Sequence, residues 1–140
     1  MKFETKVIAF ENPQLQEMLS QYLMDWGINP LSYSRPSTWV GKVDEQGSLF
    51  AAVGFTKTPD CSVVYVADIL CQDNKQGTRA MLELMMELRD KLVADKRVQT
   101  VAAQAVYHNS TMRKFIERMG LRPVAVAYGV TREQYTKGIV

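Results

Sequence analysis

Residues 109–121 read NSTMRKFIERMGL. Asn109 stands immediately ahead of an apolar-periodic run, in which Met112, Phe115 and Met119 recur at helical spacing, and Gly120 follows the last of them. The Asn side chain can accept a hydrogen bond from a first-turn N–H, and the glycine can adopt the backbone conformation that closes a helix. The stretch therefore predicts a short helix over 110–119 whose apolar stripe packs on a sheet, followed by a strand.

Reading outward, 98–106 (VQTVAAQAV) and 122–130 (RPVAVAYGV) are expected strands on either side of that helix. Upstream, from Thr78 to about Ala94, the residues Met81, Leu84, Met85, Leu88 and Leu92 share one face of a long helix, and its Met-rich stripe reads as adaptable core packing. Three runs precede it, 38–43 (TWVGKV), 48–56 (SLFAAVGFT) and 62–71 (SVVYVADILC). Gly47 takes the positive-φ position of the first turn and Pro59 marks the second, so these form an antiparallel meander. The opening segment supplies a strand at 3–10 and a helix from the N-cap Asn12 and Pro13 to about Trp26, stopped by Gly27. Leu15, Met18, Leu19, Tyr22, Leu23 and Trp26 make its apolar face, and Ile28 to Ser37, with Pro30 and Pro36, is an irregular connection.

A helix between the third meander strand and the strand at 98 permits a parallel crossover. The expected fold is thus α+β, an α/β sandwich with a mixed, mostly antiparallel sheet and helices on both faces, as a single domain over 1–140. A chain of 140 residues with 46% hydrophobic and 23% charged content can enclose one core. Its 17 basic and 15 acidic residues give a net charge of +2 with no block of either sign, so nucleic acid and membrane are not expected partners. No apolar run approaches membrane-spanning length and the first residues lack the uninterrupted apolar core of a secretory signal, so a cytoplasmic protein is expected. Cys61 and Cys71 match no metal-ligand spacing, and His108 is the single histidine, so the cysteines read as reduced, buried thiols and no metal site is expected.

Two places could carry chemistry. The polar junction between the strand at 62–71 and the following helix holds Asn74, Lys75, Gln76, Gly77, Thr78, Arg79 and Ala80. A helix N-terminus there would offer unpaired N–H groups and a positive dipole end to a phosphate, with Lys75 and Arg79 adding charge. The same residues equally describe an ordinary strand-to-helix turn with solvated side chains. The second place is Val106 to Asn109, where the Asn109 amide can cap its helix and also donate and accept toward an amide-bearing ligand.

The run Asn109 to Leu121 resembles the second conserved block of the GNAT acetyltransferases in Asn109, Met112, Phe115, Met119, Gly120 and Leu121. The helix that begins Arg79-Ala80-Met81-Leu82 resembles the first block, although only Gly77 remains of its glycine-rich loop. The resemblance covers roughly residues 62–130 and implies a GNAT-like domain that binds acetyl-CoA as co-substrate. Main-chain N–H groups near Gln76 to Ala80 would then cradle the coenzyme pyrophosphate. Ile69, Leu70 and Cys71 would pair with pantetheine, and Asn109 and Arg113 would complete the coenzyme site. Within the family, residues 86–92 (MELRDKL) together with the Asn109 helix look like short GNAT-like proteins of tailed bacteriophages.

Acyl transfer to an amine needs a neutral amine, a donor to the thioester carbonyl and an acid for the departing thiolate. The family often supplies that acid as a Tyr at the position held here by Ile116. Tyr107 and His108 are the candidate substitutes, against a half-core strand aromatic and a solvated loop histidine as their plain readings. Asp68 is the candidate base, because a carboxylate inside an apolar run must be paired, solvated in a cleft or given a task. The expected activity is acetyl transfer from acetyl-CoA to a primary amine of a small molecule or protein, with a homodimer as one assembly. The competing reading is a catalytically degenerate GNAT-fold protein that binds a host or virion protein.

Overall fold

Each helix of this protein is set by an asparagine cap or an apolar stripe, and each strand by the face it must bury. The computed structural model describes residues 1–105 and 110–123. In chain order the elements are β1 (Glu4–Val7), α1 (Pro13–Asp25), β2 (Thr38–Val43), β3 (Leu49–Lys57), β4 (Val63–Cys71), α2 (Lys75–Ala94), β5 (Thr100–Ala103) and α3 (Ser110–Arg118). The strands form one five-stranded sheet in the order β1-β2-β3-β4-β5. Pairing is antiparallel from β1 to β4 and parallel between β4 and β5, the mixed and mostly antiparallel sheet the sequence predicts.

The Asn12 side chain accepts from the N–H groups of Gln14 and Leu15 at 2.9 and 3.2 Å and opens α1, whose Leu15, Leu19 and Leu23 are buried at every fourth position. They pack on one face of the sheet with Trp39, Leu49, Ala52 and Leu70. On the opposite face α2 buries Ala80, Leu84, Leu88 and Leu92 against Ala51, Val53, Val64, Val66 and Ile69. The α3 residues Met112, Phe115 and Ile116 pack on that same core. Helices thus cover both faces, and Gly27 and Gly47 take the positive φ expected of them.

Two contacts fix α2 on the sheet. Lys42 is only 3% exposed, and its ammonium pairs with the Glu87 carboxylate, which also accepts from the Thr5 hydroxyl. Nearer its start, Arg79 reaches the Met1 carbonyl and stacks over the Phe3 ring at 4.9 Å.

The largest departure from the sequence reading is the start of α2, which begins at Lys75 and not at Thr78. Asn74 is the cap: its side chain accepts from the Gly77 N–H at 2.8 Å and its carbonyl from the Thr78 N–H at 3.0 Å. A polar segment that looked like turn is therefore the first helical turn. The strand expected at 98–106 pairs over Thr100–Ala103. Residues 124–130 of the expected last strand lie outside the described residues. Cys61 and Cys71 are free thiols but half-buried, short of the full burial expected.

Gly77 is demanded by close approach. A Cβ at this position would sit 2.0 Å from the Gln72 carbonyl oxygen, because the first turn of α2 folds back against the end of β4. Such overlap with backbone cannot be relieved by a rotamer change. Gly77→Ala is expected to lower the unfolding free energy by about 2 kcal/mol, as overpacking does. Urea denaturation measures it, and an unchanged midpoint would mean that this turn opens without cost.

Candidate active site

The site begins with one extra residue in β4. Gly54 pairs with Asp68 while its neighbour Phe55 pairs with Val66, so Ala67 has no opposite number on β3. Such a bulge reverses which side chains face which side of a sheet. Before it, Val64 and Val66 face α2; after it, Ile69 does, whereas Leu70 joins the core under α1. Asp68 shares the α1 side with Leu70. Without the bulge its carboxylate would enter the apolar core beneath α2.

Asp68 is 6% exposed, and the Tyr33 hydroxyl donates to its Oδ2 at 2.7 Å. Burial pushes the Asp68 carboxyl above its ordinary range, and the Tyr33 hydrogen bond opposes that shift. Burial also raises the Tyr33 and Tyr22 phenols, and the Asp68 charge raises both further. Both phenols are thus held protonated at neutral pH, beside a carboxyl moved toward the range in which a general base works.

β5 follows β4 only from Val63 to Val66, with a last bond from the Gln104 N–H to the Val66 carbonyl at 3.3 Å. Past this point no described residue of β5 pairs with β4. Beside this end of β4 lies a cleft of about 1070 Å³ between α1, the end of β4, the start of α2 and α3. Tyr22 lines it from α1, Ile69, Leu70 and Cys71 from β4, Thr78 and Met81 from α2, and Met112 and Phe115 from α3. Its α1 wall carries Glu17 and Asp25, its α3 wall Lys114 and Arg118. A smaller cavity of about 280 Å³ lies between α2, β5 and α3, lined mostly by apolar side chains that include Leu88, Val101 and Ile116.

The structure thus gathers Ile69, Leu70, Cys71 and Thr78 of the sequence-derived site in one cleft. Burial and then the Asp73 charge raise the Cys71 thiol, which keeps it protonated. Gly77 and Ala80 are buried and face the sheet, with Ala80 wholly in the core. The Arg79 guanidinium turns to Glu83, Gln76 and the first residues of the chain, on the side of α2 away from the cleft. Lys75 is exposed at the first position of α2, Gln76 half-buried beside it, and Arg113 half-buried on α3. Asp68 is buried and is not among the residues that line the cleft. Tyr107, His108 and Asn109 lie outside the described residues. No group of His, Cys, Asp or Glu among the described residues could hold a metal ion, and no helix there is long and apolar enough to cross a membrane.

Sequence reasoning missed Tyr33 and Tyr22 as members of this site. Tyr22 was absorbed into the apolar stripe of α1, and Tyr33 lies in the irregular connection, where no periodicity points to a partner. The one available signal was Asp68 itself, since a buried carboxylate requires a donor from elsewhere in the chain.

No protein-family model matches the sequence, and no curated protein matches it. Solved structures do match. A ribosomal-protein-alanine N-acetyltransferase from Brucella melitensis biovar Abortus 2308 superposes with a TM-score of 0.67 at 17% identity, over 93% of this chain and 99% of that one. An aminoglycoside acetyltransferase from an uncultured soil metagenomic sample gives 0.62 at 10% identity, over 94% and 99%. The chain has the GNAT fold. A glucosamine-6-phosphate N-acetyltransferase from Arabidopsis thaliana, with a TM-score of 0.59 at 13% identity over 94% and 99%, extends the likeness. At such identities the shared feature is the GNAT fold itself.

The raised Asp68 carboxyl has a stability signature. A carboxyl whose folded value lies above its ordinary 3.8 supports the folded state fully below that pH and loses the contribution as pH rises through the folded value. Relative to Asp68→Asn, the wild-type chain is therefore expected to lose stability between pH 4 and pH 7. Urea midpoints of the two proteins at both pH values measure this, and a constant difference would place Asp68 in a solvated setting.

Proposed function

We propose that this chain is an acyl-CoA-dependent N-acyltransferase that moves an acetyl group from acetyl-CoA directly to a primary amine of a small molecule or protein. The observation that carries the reading is the outer edge of β4 beyond Val66, which no described residue of β5 pairs and whose residues Ile69 to Cys71 line the cleft. An unpaired strand edge offers alternating N–H and C=O groups to an amide-bearing arm, and pantetheine is such an arm. The edge leads to the start of α2, where the N–H groups of Lys75 and Gln76 have no intrahelical partner and the dipole favours phosphate. Thr78 lines the cleft near the same end.

The two walls divide the labour by charge. Lys114 and Arg118 on α3 suit the anionic coenzyme, and Glu17 and Asp25 on α1 suit an amine that arrives as a cation. That amine attacks only when neutral, and Asp68, held by Tyr33, takes its proton directly or through water. Tyr107 and His108 enter this reading as candidate substitutes for the family's acid, by their place at the end of the preceding strand, and Asn109 and Arg113 enter it through the family resemblance. The same resemblance, in residues 86–92 and the Asn109 helix, is what supports a phage source, and a homodimer is the assembly to be tested by sedimentation.

Acetyl-CoA that binds only the folded state at about 100 times its Kd raises the unfolding free energy by about 2.7 kcal/mol. A thermal-shift titration is expected to show the rise, and no shift at millimolar acetyl-CoA would sink the proposal. With radiolabelled acetyl-CoA and a panel of cationic amines, Asp68→Asn is expected to reduce turnover by about 100-fold, the scale of a lost general base. A chain that used the fold only to hold a protein partner would yield no labelled amide.

A further inference from the structure

Acyl transfer leaves a thiolate behind, and the position from which the family resemblance would draw its acid is Ile116. In the structure the Ile116 side chain lines the smaller apolar cavity and is absent from the walls of the main cleft. The question becomes which donor does face that cleft. Among the described residues that line it, Tyr22 supplies the one phenol. It stands half-buried on α1, in a wall of the same cleft as Ile69, Leu70 and Cys71.

Tyr22 belongs to a small polar group built into an otherwise apolar face. Leu19 and Leu23 on either side of it are buried in the core under α1, and Tyr22 packs at the edge of that core together with Tyr33. Tyr33 is committed to Asp68, to which its hydroxyl donates at 2.7 Å. Tyr22 lines the cleft whereas Asp68 and Tyr33 do not, so of the two phenols beside this carboxylate Tyr22 is the one a ligand in the cleft meets.

Building on the reading of this cleft as an acyl-CoA site, we propose that Tyr22 is the proton donor to the sulfur of the departing coenzyme. The amine nitrogen bonds to the acyl carbon, and the carbon–sulfur bond breaks with its electron pair going to sulfur. Tyr22 Oη gives its proton to that sulfur, and the phenolate takes up the proton that the new amide nitrogen sheds. The products are the amide and the coenzyme thiol, and Tyr22 ends as it began. Burial and the nearby Asp68 charge both keep this phenol protonated, so it enters the step as a donor. The acid role thus passes from α3 to α1, on the opposite wall of the cleft.

The test needs no acceptor. Calorimetric titration of the full chain and of Tyr22→Phe with coenzyme A and with desulfo-coenzyme A at pH 10, where an appreciable share of the coenzyme thiol is ionised, reports on a donor at the sulfur. The wild-type chain is expected to bind coenzyme A about tenfold more tightly than the desulfo form, the scale of a hydrogen bond to a charged group. Tyr22→Phe is expected to abolish that preference and leave desulfo-coenzyme A binding unchanged. The same preference in both chains, or an equal loss for both ligands, would overturn the assignment while the acyl-CoA reading stands. Failure of the wild-type chain to bind either ligand would remove both.

Discussion

The arrangement of this protein turns on the single surplus residue Ala67. A strand has only two faces, and the sequence of β4 asks for Val64, Val66 and Ile69 on one of them, which no unbroken alternation can deliver. The bulge resolves the conflict by exchanging the faces at Ala67. It satisfies the core under α2 with apolar side chains on both sides of the break, and it directs Asp68 to the side where Tyr33 can reach it. Bulges also increase local twist, and here the last described pair of the parallel ladder, Val66 with Ala103, lies beside the bulge. The apolar core under α2 and the place of the buried carboxylate thus share one local cause.

The start of α2 shows a second economy of placement. Asn74 supplies the cap, Gly77 admits the Gln72 backbone and Ala80 fills the core beneath, so the turn from strand to helix is as tight as backbone contact allows. The residues of this segment that look most like a phosphate loop in sequence are divided by the helix. Gly77 and Ala80 face the sheet, Arg79 faces the beginning of the chain, and Thr78 faces the cleft. A helix spreads consecutive residues around its axis, and a binding loop would have kept them together.

Much of the fold was legible because its signals are local. The apolar stripes of α1 and α2, the Gly47 turn and the Asn12 cap each follow from residues close in sequence, and they fall where the periodicity puts them. The parallel β4–β5 pair followed from the helix between the two strands. Parts of the candidate site were legible too, since Asp68 stood out as a carboxylate in an apolar strand. Its partner did not, because Tyr33 is 35 positions away in a segment without period. Nor could the sequence tell that Phe115 reaches both cavities while Ile116 lines only the smaller one, which is a matter of how α3 is rolled on its core. The expected start of α2 failed for a simpler reason. Asn74 and Thr78 both suit a cap, and the apolar pattern that separates them begins too late to choose.

The pairing of Lys42 with Glu87 carries a consequence for how the cleft behaves. An ammonium with almost no exposure cannot be left without its counter-charge except at a cost of about 3–5 kcal/mol. Rolling α2 about its own axis or sliding it along the sheet would separate the two groups, so the helix is held in both respects at its middle. Its first turn is pinned in turn by Gly77 against Gln72. The floor and the α2 wall of the cleft are therefore a rigid frame, fixed before any ligand arrives. The opposite wall is anchored as well: the Gln14 side chain donates to the Gly47 carbonyl and accepts from the Leu49 N–H, and the Ile28 N–H ties the following connection to the Leu23 carbonyl. Both walls are thus positioned by the protein's own contacts, so a substitution outside the cleft, as at Lys42, reshapes it.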